Sequence, residues 1–349
     1  MATPPYNDTD VFGNDIGLIA IGDGDQLRGF NVAVGGGMGM VFGVEGSYPR
    51  LADVFGYIPK EQILHVVEEI VKLQRDYGNR ENRRFARLKY TLDRLGSSNF
   101  KEMLEERSGI KFDPPQPYAF KQNGDVLGWT QSITGKWFYG LFVEHGRVKD
   151  VATYRLKSAL NEIAKQELCD FRLTGNQGLV LGQVEEKNKS VIEAILEEHG
   201  CKQEEKSGIR KNAIACVALN TCSLAFAEAE RYLPTLNTKI EAILKEHDLY
   251  NEDILIRMTG CPNGCGRPFL GEIGLVGRAL GKYNLYLGAG FAGERLNTLY
   301  KEMLDEDQIL TELSHIIGLY ADERKNDERF GDFIIRKQII APSQEVAVV

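Results

Sequence analysis

Four cysteines constrain this chain more than any other feature. Thr259-Gly260-Cys261-Pro262-Asn263-Gly264-Cys265-Gly266-Arg267 sets two of them three residues apart among glycines. Cys222 stands 39 residues before Cys261, and Cys216 six before that, so the pattern is C-x5-C, a long gap, then C-x3-C. Four thiolates on two tight loops are a ligand set for a soft metal centre, and an iron–sulfur cluster leads the candidates. Gly260, Gly264 and Gly266 let backbone approach such a cluster and turn N–H groups toward its sulfurs. Structural zinc is the serious alternative, although its cysteine pairs are usually spaced more closely than C-x5-C. Two disulfides would need an oxidising compartment, which nothing in the chain suggests. Cys169 and Cys201 fall outside the pattern and read as ordinary thiols.

The chain has 349 residues, enough for two or three domains, and a formal net charge of -8. That charge argues against nucleic acid or an anionic membrane surface as the main partner, while leaving room for a local basic pocket. No apolar run is long enough to span a bilayer, and Met1 opens no basic-then-apolar segment. A reducing, cytoplasmic home is the expectation.

Residues 1–13 read as an extended leading segment, with Pro4 and Pro5 against a helix. Strands are predicted at Asp15–Ile21 and Gly29–Val34, joined by a Gly22–Asp25 turn and followed by the glycine-rich loop Gly35-Gly36-Gly37-Met38-Gly39. No helix opens after that loop, so it reads as backbone lying flat on a large cofactor and not as a dinucleotide fingerprint. A helix is predicted over Lys60–Arg75, with Pro59 at its start and Ile63, Leu64, Val67, Ile70, Val71 and Leu73 on one face. Asn79–Arg94 carries Arg80, Arg83, Arg84, Arg87, Lys89 and Arg94, a solvated helix face with one or two cations turned inward. Residues 98–126 read as a polar linker containing a short helix over Phe100–Arg107, with Pro114, Pro115 and Pro117 after it. Residues 127–205 run strand, strand, helix, strand, helix, which suggests a small ferredoxin-like sandwich. From residue 206 the cysteine module begins. An alanine-rich helix is predicted over Ser223–Tyr232, its N-terminal dipole facing Cys222, with a second helix over Asn237–His247 and a strand over Ile254–Met258. Residues 341–349 read as a tail.

A repeat runs through this order. Asp15-Ile16-Gly17-Leu18-Ile19 recurs as Glu272-Ile273-Gly274-Leu275-Val276, Asn31–Gly37 recurs as Asn284–Gly290, and Gln62-Ile63-Leu64 recurs as Gln308-Ile309-Leu310. Two copies of one module are therefore expected. Residues 14–97 form the first, with its front part absent, and residues 206–340 form the second.

The segments Ala215-Cys216-Val217-Ala218-Leu219, Thr221-Cys222, Ala227-Glu228-Ala229-Glu230-Arg231, the T-G-C-P-N-G-C run, Phe330-Gly331-Asp332-Phe333 and G-F-N-V-A-V-G-G-G-M-G carry a specific resemblance over about residues 4–340. Together they resemble the hemoprotein subunits of assimilatory, NADPH-type sulfite reductases. The resemblance implies an α+β fold, with a ferredoxin-like (parachute) domain between two duplicated mixed α/β siroheme/4Fe–4S modules, the first N-terminally incomplete. It implies a 4Fe–4S cluster on Cys216, Cys222, Cys261 and Cys265, with Cys265 also ligating the iron of siroheme. It implies six-electron reduction of sulfite to sulfide in sulfate assimilation. Asn220 and Ser223 stand where the family often has proline, and Gly178 where it often has asparagine; no ligand changes.

For siroheme contacts the expected residues are Gly35, Gly36, Gly37 and Asn263, with Arg83, Arg87 and Lys89 as candidate partners of its carboxylates. The family's substrate-holding cations lie in segments with no matching positions here, so weak turnover by this chain alone is expected. No flavin or nicotinamide motif is visible, so electrons come from a partner: an NADPH-dependent flavoprotein reductase subunit, with ferredoxin as the runner-up. A siroheme nitrite reductase and a non-catalytic iron–sulfur fragment are the alternative readings.

Overall fold

The computed structural model describes residues 1–24, 26–203 and 205–346. Asp25 of the expected turn and the last three residues of the expected tail lie outside them. The first unit is an antiparallel sheet of β1 (Ile16–Asp23), β2 (Gln26–Val34) and β3 (Asp53–Pro59), in that order. Helices α1 (Ile63–Tyr77), α2 (Leu88–Leu95) and α3 (Ser97–Ser108) pack on it. Side chains alternate along β2, so Phe30, Val32 and Val34 meet these helices while Ala33 faces the other way.

The middle unit contains β4 (Gly128–Gln131), β5 (Trp137–Leu141), a two-residue hairpin of β6 (Asp150–Val151) and β7 (Tyr154–Arg155), α4 (Leu156–Lys165), β8 (Asp170–Leu173), β9 (Leu179–Val184) and α5 (Lys189–Glu198). Its sheet runs β4-β5-β9-β8, all antiparallel, with α4 and α5 packed over Leu141, Leu181 and Val184. The last unit contains α6 (Gly208–Lys211), β10 (Ile214–Ala215), α7 (Leu233–Glu246), β11 (Ile256–Thr259), β12 (Ile273–Ala279), β13 (Lys282–Leu287), β14 (Thr298–Leu304), α8 (Glu306–Glu323) and α9 (Phe330–Arg336). Its sheet order is β10-β11-β12-β13-β14, parallel from β10 to β12 and antiparallel beyond.

The two hairpins are copies in register as well as in sequence. Ile19 pairs with Asn31 in the first, and Val276 pairs with Asn284 in the second. Gly35 and Gly288 end the second strands with φ of 87° and 88°, a left-handed conformation open to glycine at little cost. The likeness extends to residues the sequence comparison did not find. Arg50 donates to the Gly35 carbonyl at 3.2 Å and pairs with Asp93 of α2 at 2.8 Å; Arg295 donates to the Gly288 carbonyl at 2.9 Å and pairs with Asp332 of α9 at 2.5 Å. A shared core of Phe12, Ile19, Ala33, Met38, Phe269 and Val276 joins the copies, so each sheet is buried on both faces. Ala2 bridges Ile19 in parallel, the place that β11 takes beside β12.

Several expectations need correction. Ser223–Tyr232 is not a helix: it is a looping segment whose Phe226 and Ala227 N–H groups donate to the Gly260 carbonyl at 2.8 and 3.2 Å. The small side chains serve close packing there, and Pro234 lies in the first turn of α7, where its missing N–H costs nothing. No helix dipole therefore faces Cys222. Pro59 ends β3 and does not open a helix. The buried face of α1 is Ile63, Val66, Ile70 and Leu73, while Leu64 and Val71 are exposed. The basic run is an irregular segment followed by α2, and the short helix expected over Phe100–Arg107 is α3, which packs Phe100 and Leu104 into the first unit's core. Residues 344–346 are also docked: the Gln344 carbonyl accepts from Leu296 N–H at 3.1 Å, and its side chain accepts from Leu51 N–H at 3.0 Å.

Candidate metal centre and cofactor face

β10 delivers Cys216, and β11 delivers Cys261; the two strands pair in parallel, which sets both cysteine loops at one end of the sheet. Cys216 Sγ accepts from Gly260 N–H at 3.2 Å and from the Thr259 hydroxyl at 3.4 Å. Burial raises the pKa of Cys261, and the charges of Cys216, Cys265 and Cys222 raise it further. Cys265 is raised by burial and then by Cys216 and Cys222, so the four thiols share one electrostatic neighbourhood. Glycine is required around them. A Cβ on Gly260 would meet Ala218 Cβ and Ala227 O at 2.7 Å, and one on Gly266 would meet Met258 O at 2.4 Å.

Four thiols in one electrostatic neighbourhood, carried on two loops at one end of the sheet, are a donor set for a soft metal centre.

The glycine-rich loop of the first unit lies directly against this site. Met40 N–H donates to the Pro262 carbonyl at 3.2 Å, and a Cβ on Gly39 would stand 3.3 Å from Asn263 O. Met38, Gly39 and Met40 thus meet the Pro262-Asn263-Gly264 stretch, while Gly35 lies against Leu92 and Gly36 against the backbone of Phe12 and Asn14. Gly37 faces Arg87 and Lys89, whose atoms stand 2.9 and 3.2 Å from where its Cβ would be. Arg87 is half-exposed and pairs with Asp15 at 2.7 Å. Lys89 is buried: its ammonium donates to the carbonyls of Gly37 at 3.1 Å, Gly39 at 2.7 Å and Tyr48. Burial and then the Arg87 cation push its pKa down to about 8. Lys89 therefore holds the loop's shape. Arg83 is exposed on a short turn, Arg83–Phe85. Cavities of about 640, 620 and 610 Å³ are lined by residues other than the four cysteines.

Residues 1–112 match the family described as "Nitrite and sulphite reductase 4Fe-4S domain", and residues 131–199 match the "Nitrite/Sulfite reductase ferredoxin-like half domain". A sulfite reductase [NADPH] hemoprotein beta-component of Leptospira biflexa is 56% identical over 342 residues, covering 97% of this chain and 62% of its own length. The chain belongs to the nitrite and sulphite reductase family. The equivalent component of Staphylococcus epidermidis is 52% identical over 342 residues, covering 98% of this chain and 60% of its own. The chain thus spans about three fifths of the length of the curated relatives it matches. The structure of the Mycobacterium tuberculosis NirA protein has the same fold, with a TM-score of 0.77 at 24% identity over 95% of this chain and 62% of its own.

The family's 4Fe–4S description falls on residues 1–112, which contain no cysteine. The structural duplication resolves this: the cysteines belong to the other copy of the same module. The residues present fit the family's two groups. Four thiols with hydrogen-bond donors on the Cys216 sulfur suit the cluster, and the half-exposed Arg87 beside the glycine loop suits a macrocycle bearing carboxylates, while Gly35, Gly36 and Gly37 themselves are buried. Exposed Val217 and Leu224 stand on the cysteine loop, and exposed Val41 and Phe42 follow the glycine loop, with Phe42 edge-on to Phe226 at 4.9 Å.

Sequence reasoning missed Asp10. It is buried, pairs with Arg257 of β11 at 2.6 Å, and stands 2.8 Å from Arg267, two residues after Cys265. Its partners lie some 250 residues away in the chain, beyond the reach of any local pattern.

The loop glycines differ in what they tolerate. Gly36→Ala would set a Cβ 2.2 Å from Phe12 O and 2.6 Å from Asn14 O, both backbone. A loss of about 1–3 kcal/mol in denaturant unfolding is expected. Gly39→Ala meets only Asn263 O at 3.3 Å, so its unfolding midpoint should stay near the parent's.

Proposed function

We propose that this chain carries the 4Fe–4S cluster and one face of the siroheme site of an enzyme that reduces sulfite to sulfide with six electrons. The observation that supports this most is the convergence of four thiols on two loops at the end of β10 and β11, directly against the Gly35–Gly39 loop. When bound, the cluster and siroheme supply an electron store and an iron on which sulfite can be held.

The chain's own residues hold and shield these groups. Cys216, Cys222, Cys261 and Cys265 serve as cluster ligands, and Gly260 N–H and the Thr259 hydroxyl stabilise the Cys216 sulfur. Cys265 is the exposed member of the four and would be the ligand reachable from the siroheme side. Gly35, Gly36 and Gly37, with Asn263, form the floor under siroheme. Arg87 offsets its carboxylates after leaving Asp15, Arg83 adds positive charge at the rim, and Lys89 acts through the loop carbonyls it holds.

The substrate and partner follow from the named relatives, sulfite reductase [NADPH] hemoprotein components. The electron donor is an NADPH-dependent flavoprotein reductase, with ferredoxin as the alternative. Among the described residues no helix is long and apolar enough to cross a membrane, and six free cysteines suit a reducing, cytoplasmic location.

Anaerobic reconstitution with iron, sulfide and siroheme tests the reading. The expected result is about four cluster irons with acid-labile sulfide, plus one haem iron, per chain, and haem bands that shift on adding sulfite. Zinc in place of iron, or iron without labile sulfide, would overturn it.

A further inference from the structure

We propose that the turn Gly175–Gly178 of the middle unit braces the four-thiol site, with Gln177 as its positioning residue. The proposal rests on the reading of the four thiols as cluster ligands. Gln177 Nε2 donates to the Ala215 carbonyl at 2.7 Å, and its Oε1 accepts from Ala215 N–H at 3.0 Å. Ala215 immediately precedes Cys216. β10 is two residues long and has a strand neighbour, β11, on one side only. The Gln177 amide takes both backbone groups on the other side, as a further strand would. Ala215 is fully buried, so leaving those groups unpaired would be costly.

The same turn reaches the other cysteine loop. Arg267, two residues beyond Cys265, donates through Nη2 to the Gly175 carbonyl at 2.6 Å. One short turn therefore contacts the chain next to Cys216 and the chain just past Cys265.

The turn is itself held firmly. Asn176 Nδ2 donates to Asp8 O at 3.1 Å, Asn123 O at 3.3 Å and Asp125 Oδ1 at 3.1 Å. The Thr174 hydroxyl donates to Asp125 Oδ2 at 2.6 Å and accepts from Gly178 N–H at 2.8 Å. A Cβ on Gly178 would stand 2.2 Å from Asp125 Oδ2. Gln177 has φ of 69°, a conformation that a glutamine keeps only where its surroundings over-determine it. The ferredoxin-like unit thus fixes the spacing between the two cysteine loops. That spacing and the Cys216 hydrogen bonds are what tune a cluster's affinity and potential.

Two variants of the full chain test this. Gln177→Ala removes both bonds. Gln177→Glu keeps the volume and the acceptor but sets a carboxylate oxygen against the Ala215 carbonyl. In the metal-free chain, iodoacetamide should alkylate Cys216 about fivefold faster in Gln177→Ala, the size of one net hydrogen bond, with Cys222 less affected. In the reconstituted chain, a chelator should remove cluster iron faster, and the electron paramagnetic resonance g values of the reduced cluster should shift. Gln177→Glu should match or exceed Gln177→Ala in each readout, because the carboxylate repels the Ala215 carbonyl as well as losing the bond to it. Parent-like alkylation and cluster behaviour in both variants overturns the proposal. Should Gln177→Ala unfold, parent-like behaviour of Gln177→Glu overturns it equally. If the parent takes up no iron, the cluster reading falls, while alkylation of the metal-free chain still decides the brace.

Discussion

Replacing Cys265 with serine is expected to abolish stable cluster assembly, with bound iron falling from about four per chain to below about one. Serine keeps the size of the side chain but exchanges a soft thiolate for a hard hydroxyl of far higher pKa, which soft iron sites do not hold. Three thiols would remain on Cys216, Cys222 and Cys261, leaving one corner of the cluster open to solvent. The loss should be greatest here because Cys265 is the exposed ligand of the four, so no packing replaces the missing bond. Iron and labile-sulfide assays with the visible spectrum read the outcome. The folded state should be preserved, since Gly264 and Gly266, not the thiol, set the path of the loop. A Cys265→Ser chain with the parent's cofactor spectrum would sink the ligand assignment. A Cys169→Ser chain is the control: Cys169 lies in the middle unit, half-buried beside its core, and its loss should leave iron content unchanged.

Asp10→Asn is expected to give the largest loss of stability. Asp10 and Arg257 are both 1% exposed, and Asp10 also stands against Arg267. Burial alone would raise the Asp10 pKa, but Arg257 and Arg267 outweigh it and hold the carboxyl at about 2, below its ordinary 3.8. The lowered value fixes the sign of the pH dependence. The ionised carboxylate stabilises the fold in full above the ordinary carboxylate pKa, and that contribution disappears as pH falls toward about 2. A shift of this size corresponds to about 2 kcal/mol. Asparagine keeps the shape and tolerates the left-handed φ of 47° at this position, but it leaves the buried guanidinium of Arg257 without its counter-ion. The cost should be at least the about 2 kcal/mol of ionisation and up to about 5 kcal/mol where the cation stays buried. Urea unfolding at neutral pH and near pH 3 measures both effects. The gap between parent and Asp10→Asn should narrow at the lower pH, and a constant gap would show that the charge is not what matters. Because Arg257 lies in β11 and Arg267 follows Cys265, the substitution should also loosen the cysteine loop.

What could be read from the chain followed from interactions close in sequence or repeated within it. The thiol pattern narrowed the chemistry to a soft metal centre, because ligand type and spacing are local properties. The hairpins were legible because alternating apolar residues and glycine turns encode strands directly, and the duplication because it repeats that code. Errors arose where a local signal served a distant partner. Ser223–Tyr232 has helix-forming alanines, yet its backbone donors go to Gly260, so close packing beside the cysteine loop overrode propensity. Lys89 does turn inward, as expected of one or two of these cations, but its ammonium meets the carbonyls of Gly37, Gly39 and Tyr48.

The sequence by itself determined the four-thiol pattern, the repeated hairpins and the family they belong to. Only the tertiary structure decided how the site is held together. Asp10 reaches Arg257 and Arg267, Gln177 reaches Ala215, and Met40 reaches Pro262, each across a long stretch of chain. The physical reason is that a buried charge or an unpaired strand edge must find a partner wherever the fold brings one, and that partner leaves no periodic trace in the sequence.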